Sequence, residues 1–149
     1  NEKLTIYFST KNAKGEWAKP QAVPFNNDKY NITHPFFDEK NRMLYFSSDM
    51  PGGMGGMDIY RCTFDNGKFG QKELVRNVNT DKNDVFPIVF NDQLYFTSQG
   101  HNSIGGYDLF VVENLAVKAL PAPFNSANDD LAIFFIDKKN LHSSTPLLI

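Results

Sequence analysis

The sequence predicts an all-β fold made from a four-stranded unit that recurs at a spacing of about fifty residues, and three observations predict it. Leu44-Tyr45-Phe46-Ser47-Ser48 returns as Leu94-Tyr95-Phe96-Thr97-Ser98. At the same distance beyond each tyrosine stands an aspartate, in Gly55-Gly56-Met57-Asp58-Ile59-Tyr60 and in Gly105-Gly106-Tyr107-Asp108-Leu109-Phe110. Finally, 14 Phe and 6 Tyr accompany 10 Gly and 8 Pro, the mixture expected of many short strands joined by tight turns.

In the best-preserved copy the strands read as Pro35–Phe37, Met43–Ser47, Asp58–Phe64 and Glu73–Arg76. Aromatic and β-branched residues favour strand over helix in these runs. The breaks are Asp38-Glu39-Lys40-Asn41, Pro51-Gly52-Gly53 and Asp65-Asn66-Gly67. Asn-Gly and Gly-Gly steps supply the positive φ angles of tight hairpins. Upstream, His34-Pro35-Phe36-Phe37 corresponds to Phe86-Pro87-Ile88-Val89 and more loosely to Leu131-Ala132-Ile133-Phe134. Each follows an asparagine-containing turn, at Asn26, Asn79 and Asn125. Gly67-Lys68-Phe69 echoes Gly15-Glu16-Trp17. Glu113 to Leu120 has helix-compatible composition, but its register marks it as the fourth strand of its unit.

A small sheet with two apolar faces cannot hide both alone, whereas like sheets stacked around an axis hide both. The predicted fold is therefore part of a β-propeller built from four-stranded antiparallel blades. The division is a half blade at 4–30, blades at 31–80 and 81–127, and the start of a further blade at 128–149. Propellers close with roughly four to eight blades. The chain accordingly reads as part of a larger ring, and its start within a blade, without a signal-peptide pattern, agrees.

Fifteen basic against seventeen acidic residues give a formal charge of -2, which argues against nucleic acid or an anionic membrane as the main partner. The apolar runs Ala132–Ile136 and Leu147–Ile149 are too short to span a bilayer. A single cysteine, Cys62, excludes an internal disulfide framework and a multi-cysteine zinc site.

Pro35-Phe36-Phe37, Leu44 to Asp49 and Asp58-Ile59-Tyr60, repeated at Pro87, Leu94 to Ser98 and Asp108 to Phe110, resemble the WD40-like propeller repeat of TolB-type periplasmic proteins. The Gly-Gly-x-Gly-Gly-x-Asp-Ile-Tyr turn is similar to the variant in OmpA-family outer-membrane-associated lipoproteins, including the PorE-like component of type IX secretion. The resemblance covers residues 4 to 136 and implies a non-enzymatic protein-interaction scaffold in the periplasm, associated with the outer membrane. Its partners would be proteins of an envelope complex. Departures are Thr5 in the aspartate slot, Gln99 in place of Asp49, and a degraded Leu141-His142-Ser143-Ser144. The segments that would carry lipid anchorage or peptidoglycan binding do not occur in the sequence, so neither property is carried over.

No residue set points to catalysis, a cofactor or a metal. The glycines at 52, 53, 55, 56, 105 and 106 read as hairpin turns, because a strand rather than a helix N-terminus follows them. Asp58 and Asp108 read as acceptors for turn N–H groups; the alternative is a calcium site joining Asp49 and turn carbonyls, which would require six to eight oxygens. His34 falls at the start of an innermost strand, and His34, His101 and His142 lack metal-ligand spacing. Cys62 reads as packing, and Asn31-Ile32-Thr33 as a chance sequon. Ser47-Ser48-Asp49 with His101 lacks a nucleophile elbow, and the serine's return at Thr97-Ser98 marks architecture. Tyr45, Ser47, Ser48, Asp49, Gly55, Gly56, Asp58, Tyr95, Ser98, Gly105, Gly106 and Asp108 thus form a structural signature. Met50, Met54, Met57, His101, Asn102 and Ile104 are the candidate partner-contact residues, on equivalent turns of one rim. Alternative functions are an accessory propeller of a peptidase or hydrolase, and a cell-wall glycan-binding module.

Overall fold

The computed structural model describes residues 2–136, and within them the chain is all-β, without helix. Leu141-His142-Ser143-Ser144, and with it His142, lies outside the described residues, as does the run Leu147–Ile149. Strands β1 (Tyr7–Phe8) and β2 (Gln21–Ala22) pair into a small first sheet. The middle sheet runs β3 (Ile32–Asp38), β4 (Met43–Ser48) and β5 (Asp58–Asp65). The outer edge of β5 is shared by β6 (Lys68–Phe69) and β7 (Glu73–Leu74). The third sheet is a four-stranded meander of β8 (Asp84–Phe90), β9 (Gln93–Ser98), β10 (Asp108–Glu113) and β11 (Ala116–Ala119). Every pairing is antiparallel. Glu113 to Leu120 is thus a hairpin into β11, turned by Asn114 and Leu115 at positive φ.

Side chains alternate across each strand, so the middle sheet has two inner faces. Leu44, Phe46, Tyr60 and Cys62 pack toward the first sheet against Ile6, Val23 and Phe25. Tyr45 and Ile59 point the other way, into a second core with Phe96 and Phe110 of the third sheet. Phe46, Ile59, Phe96 and Phe110 are essentially sealed from solvent. At roughly 25 cal/mol per Å² of apolar area, burial on both faces makes the middle sheet the anchor of the stack. Beyond the third sheet, Phe135 stacks on Phe90 and leans on Tyr95.

The first strands of the middle and third sheets lie side by side and bulge at the same place. His34 (φ 49) and Phe86 (φ 52) sit at the bulges, each before a proline, with ring centroids 3.8 Å apart. Ala132 (φ 58) takes the same slot in the next segment. The structural match to His34 is therefore Ala132, one residue beyond the Leu131 that sequence alignment placed there. His34 lies within β3 rather than at its start.

Candidate functional site: the braced turns of one rim

Three turn segments meet the next repeat through one hydrogen-bond pattern. The amides of Leu4, Met57 and Tyr107 donate to the side-chain oxygens of Asn31 (3.1 Å), Asn83 (2.8 Å) and Asp129 (2.9 Å). The residue after each acceptor, Ile32, Asp84 or Asp130, donates its own amide back to the carbonyl of Leu4, Met57 or Tyr107. Two residues beyond each turn a second asparagine closes the joint. Asn26 grips both main-chain groups of Ile6, Asn79 those of Ile59, and Asn125 those of Leu109. The asparagine turns noted in the sequence are therefore clamps on strands that precede them in the chain.

Within each turn the recurrent aspartate is the organiser. Asp58 Oδ2 accepts from the amides of Met54 (2.9 Å) and Gly55 (3.1 Å), and Asp108 Oδ2 from those of Ile104 and Gly105. Asp49 accepts from the amide and side chain of Asn31, and at the matching position Gln99 accepts from Asn83 (2.8 Å). The exchange of aspartate for glutamine keeps an acceptor facing an asparagine donor. Ser48 Oγ donates to Asn31 O and accepts from the Met50 amide. Ser98 donates to Asp84 and accepts from the Gly100 amide (2.8 Å). Burial pushes the Asp84 carboxyl above the usual carboxylate range, opposed by the bonds from Ser98 and Thr80.

The glycines divide by role. Gly52 (φ 95) and the Asn66-Gly67 step (φ 48 and 75) do supply positive φ. Gly53, Gly55, Gly56, Gly105 and Gly106 lie in the β4–β5 and β9–β10 hairpin connections as read, but are not among the positive-φ residues. Their requirement is close approach: a Cβ on Gly55 would run into the Thr80 and Lys82 carbonyls, and one on Gly105 into that of Asn128. Gly56 and Gly106 would likewise strike Asn83 and Asp129, the turn acceptors themselves.

The six candidate contact residues separate. Met54 and Ile104, in equivalent slots, are 58% and 73% exposed. Asn102 is also exposed, while Met57 is half-buried. Met50 is a correction: it is buried in the first core and offers no contact surface. His101 is half-buried, its Nε2–H donating to Val78 O at 2.8 Å and its ring against Phe96 and Phe110, so it braces the joint between sheets. A groove beside Met54 is lined by Glu73, Leu74, Arg76, Asn77 and Asn79. The groove had no signal in the sequence, because it forms where β7 meets the turn.

Among the described residues no group of three or more His, Cys, Asp or Glu side chains is arranged to hold a metal ion, and no helix is long and apolar enough to cross a membrane. No protein-family model matches the chain, and no curated protein or solved structure matches it at a significant level.

Proposed function

We propose that the chain is part of a β-propeller acting as a non-enzymatic protein-interaction platform. The observation that carries this reading is the pair Met54 and Ile104, two exposed apolar side chains in equivalent slots of braced turns. Such side chains meet a partner with little ordering cost, because the aspartate and glycine contacts already hold the backbone. The propeller assignment is supported by the sequence repeat and by the double-faced burial of the middle sheet. The non-enzymatic reading is supported by the engagement of Ser48, Ser98, Asp58, Asp84 and Asp108 in scaffold bonds. Placement in a periplasmic, outer-membrane-associated assembly of the type IX secretion kind rests on the repeat resemblance alone.

Site-specific photocrosslinking in envelope-bearing cells tests it. A photoreactive side chain at position 54 and one at position 104 are expected to give an adduct of the same mass, and one at position 41, on a turn at the other end of the strands, none. Adducts of unrelated masses, or equal yields from position 41, would overturn the platform reading.

A further inference from the structure

The groove beside Met54 combines apolar side chains with an unanswered charge. Met54, 58% exposed, and the half-buried Leu74 supply the apolar part. Glu73 and Arg76 line the groove as well, and their charges are not in the same state. The Glu73 carboxylate accepts from Arg61 Nε at 2.6 Å, so its charge is met from β5. Arg76 is exposed, and among the described residues no carboxylate lies within ion-pair distance of it. The exposed Asn77 stands next to it. A chain with a formal charge of -2 thus keeps a free cation beside an apolar recess.

The groove also follows a sheet edge. Strand β7 pairs with β5, and among the described residues no strand pairs with its other edge. The Val75 amide donates to Ile59 O at 3.0 Å, and Val75 O accepts from Asn79 at 3.0 Å. Both main-chain groups of Val75 therefore face inward, and alternation turns the N–H and C=O of Leu74 outward. An extended peptide laid along this edge would exchange main-chain bonds with Leu74 while its side chains reach Met54 and Arg76. The matching place in the third sheet lacks the cation. Leu120 donates to Leu109 O as Val75 does to Ile59 O, so Pro121 stands in the slot of Arg76. Ile104 repeats Met54 there, but Lys118, in the Glu73 slot, is paired with Glu113.

We infer that the Met54 groove receives an extended segment of a partner protein in which an aspartate or glutamate adjoins an apolar residue. The carboxylate pairs with the Arg76 guanidinium, and the apolar side chain seats against Met54 and Leu74. This rests on the platform reading proposed above and names the partner's chemistry at that site. Charge complementarity selects the occupant, because a planar guanidinium matches a carboxylate in a bidentate pair. The outward main-chain groups of Leu74 select a peptide as its carrier. A polyanion such as nucleic acid would instead meet the acidic balance of the whole chain.

Selection from a random-peptide display library on the 149-residue chain tests this. The recovered peptides are expected to share an Asp or Glu next to an aliphatic or aromatic residue. A synthetic copy of a recovered peptide should bind the Arg76→Glu chain about tenfold more weakly or worse. Lys68→Glu makes the same charge change on an exposed residue outside the groove and should leave binding unchanged. No enriched peptide, enriched peptides without the acid, or equal effects of the two substitutions overturns the inference. Crosslinking separates this outcome from failure of the platform reading. An adduct shared by positions 54 and 104 should diminish when Arg76→Glu is added. If it persists undiminished, the platform stands and the acidic segment falls. If no shared adduct forms with Arg76 intact, both fall.

Discussion

Asn79 holds Ile59 by both main-chain groups, accepting from its amide at 2.6 Å and donating to its carbonyl at 2.9 Å. The two residues are twenty positions apart, and the bond ties the segment leading into the third sheet to the third strand of the middle one. The same side chain also donates to Val75 O at 3.0 Å. The start of β5 is thereby joined to the segment that leads into the third sheet.

Asn79→Ala should cost about 2–3 kcal/mol, since it leaves the buried Ile59 N–H without its partner and removes two further bonds, to the carbonyls of Ile59 and Val75. Asn125→Ala, which loses the same three bonds to Leu109 and Leu120, should cost a similar amount. Asn26→Ala should cost less, because its joint is only partly buried and makes two bonds. Urea unfolding midpoints of the three variants check this order.

Gly55→Ala and Gly105→Ala should each destabilise by about 2 kcal/mol or more, because the new methyl meets main-chain carbonyls that cannot move without opening the joint. Gly67→Ala meets open space and should cost only about 1 kcal/mol, from its positive φ. Chemical denaturation separates the two classes. Equal costs would mean that turn conformation, and not contact with the next repeat, explains the rim glycines.

Burial pushes the Cys62 thiol up to about 11 from its ordinary 9.0. The folded chain therefore keeps a proton that the unfolded chain loses, and stability falls as pH rises from about 9 through about 11. Tyr60, raised by burial and by Asp58, acts in the same direction. Cys62→Ala should flatten part of that alkaline loss at the cost of a small cavity. In the native chain at pH 8 the thiol should react with a disulfide reagent only as fast as the protein opens.

His34 shifts the other way. Burial holds its imidazole below the usual range, and Nδ1 is enclosed without a partner. The unfolded chain takes up a proton near the ordinary 6.5 while the folded chain resists, so this contribution to stability is lost as pH falls below about 6.5. His34→Phe, which copies Phe86 on the neighbouring bulge, should remove that dependence and leave the neutral-pH stability within about 1 kcal/mol. Thermal unfolding at several pH values between neutral and mildly acidic reads this out.

Much of the scaffold was legible because strands announce themselves locally. Leu44–Ser48 and Leu94–Ser98 carry the alternation and aromatic content that make strands, and both are strands with the expected partners. Asn66-Gly67 is the positive-φ turn its composition specifies. The illegible features depend on segments far apart in the chain. Nothing local tells that Gly55 must yield to Lys82, or that Asn79 reaches back to Ile59. Met50 and His101 fell among the contact candidates because they lie on a glycine-rich turn, yet each side chain folds inward to aromatic neighbours. Met54 and Ile104 differ from them only in pointing outward, a choice set by the aspartate behind the turn.

Native-state hydrogen exchange at the Ile59 amide tests the central claim, that the sheets stack face to face as one cooperative body. That amide sits between the middle and third sheets and donates to Asn79. The stacked arrangement predicts exchange only through global unfolding, with the same denaturant dependence as the amide of Leu109. Exchange of Ile59 at a free energy well below the global value would show the two sheets parting independently, and would contradict the account.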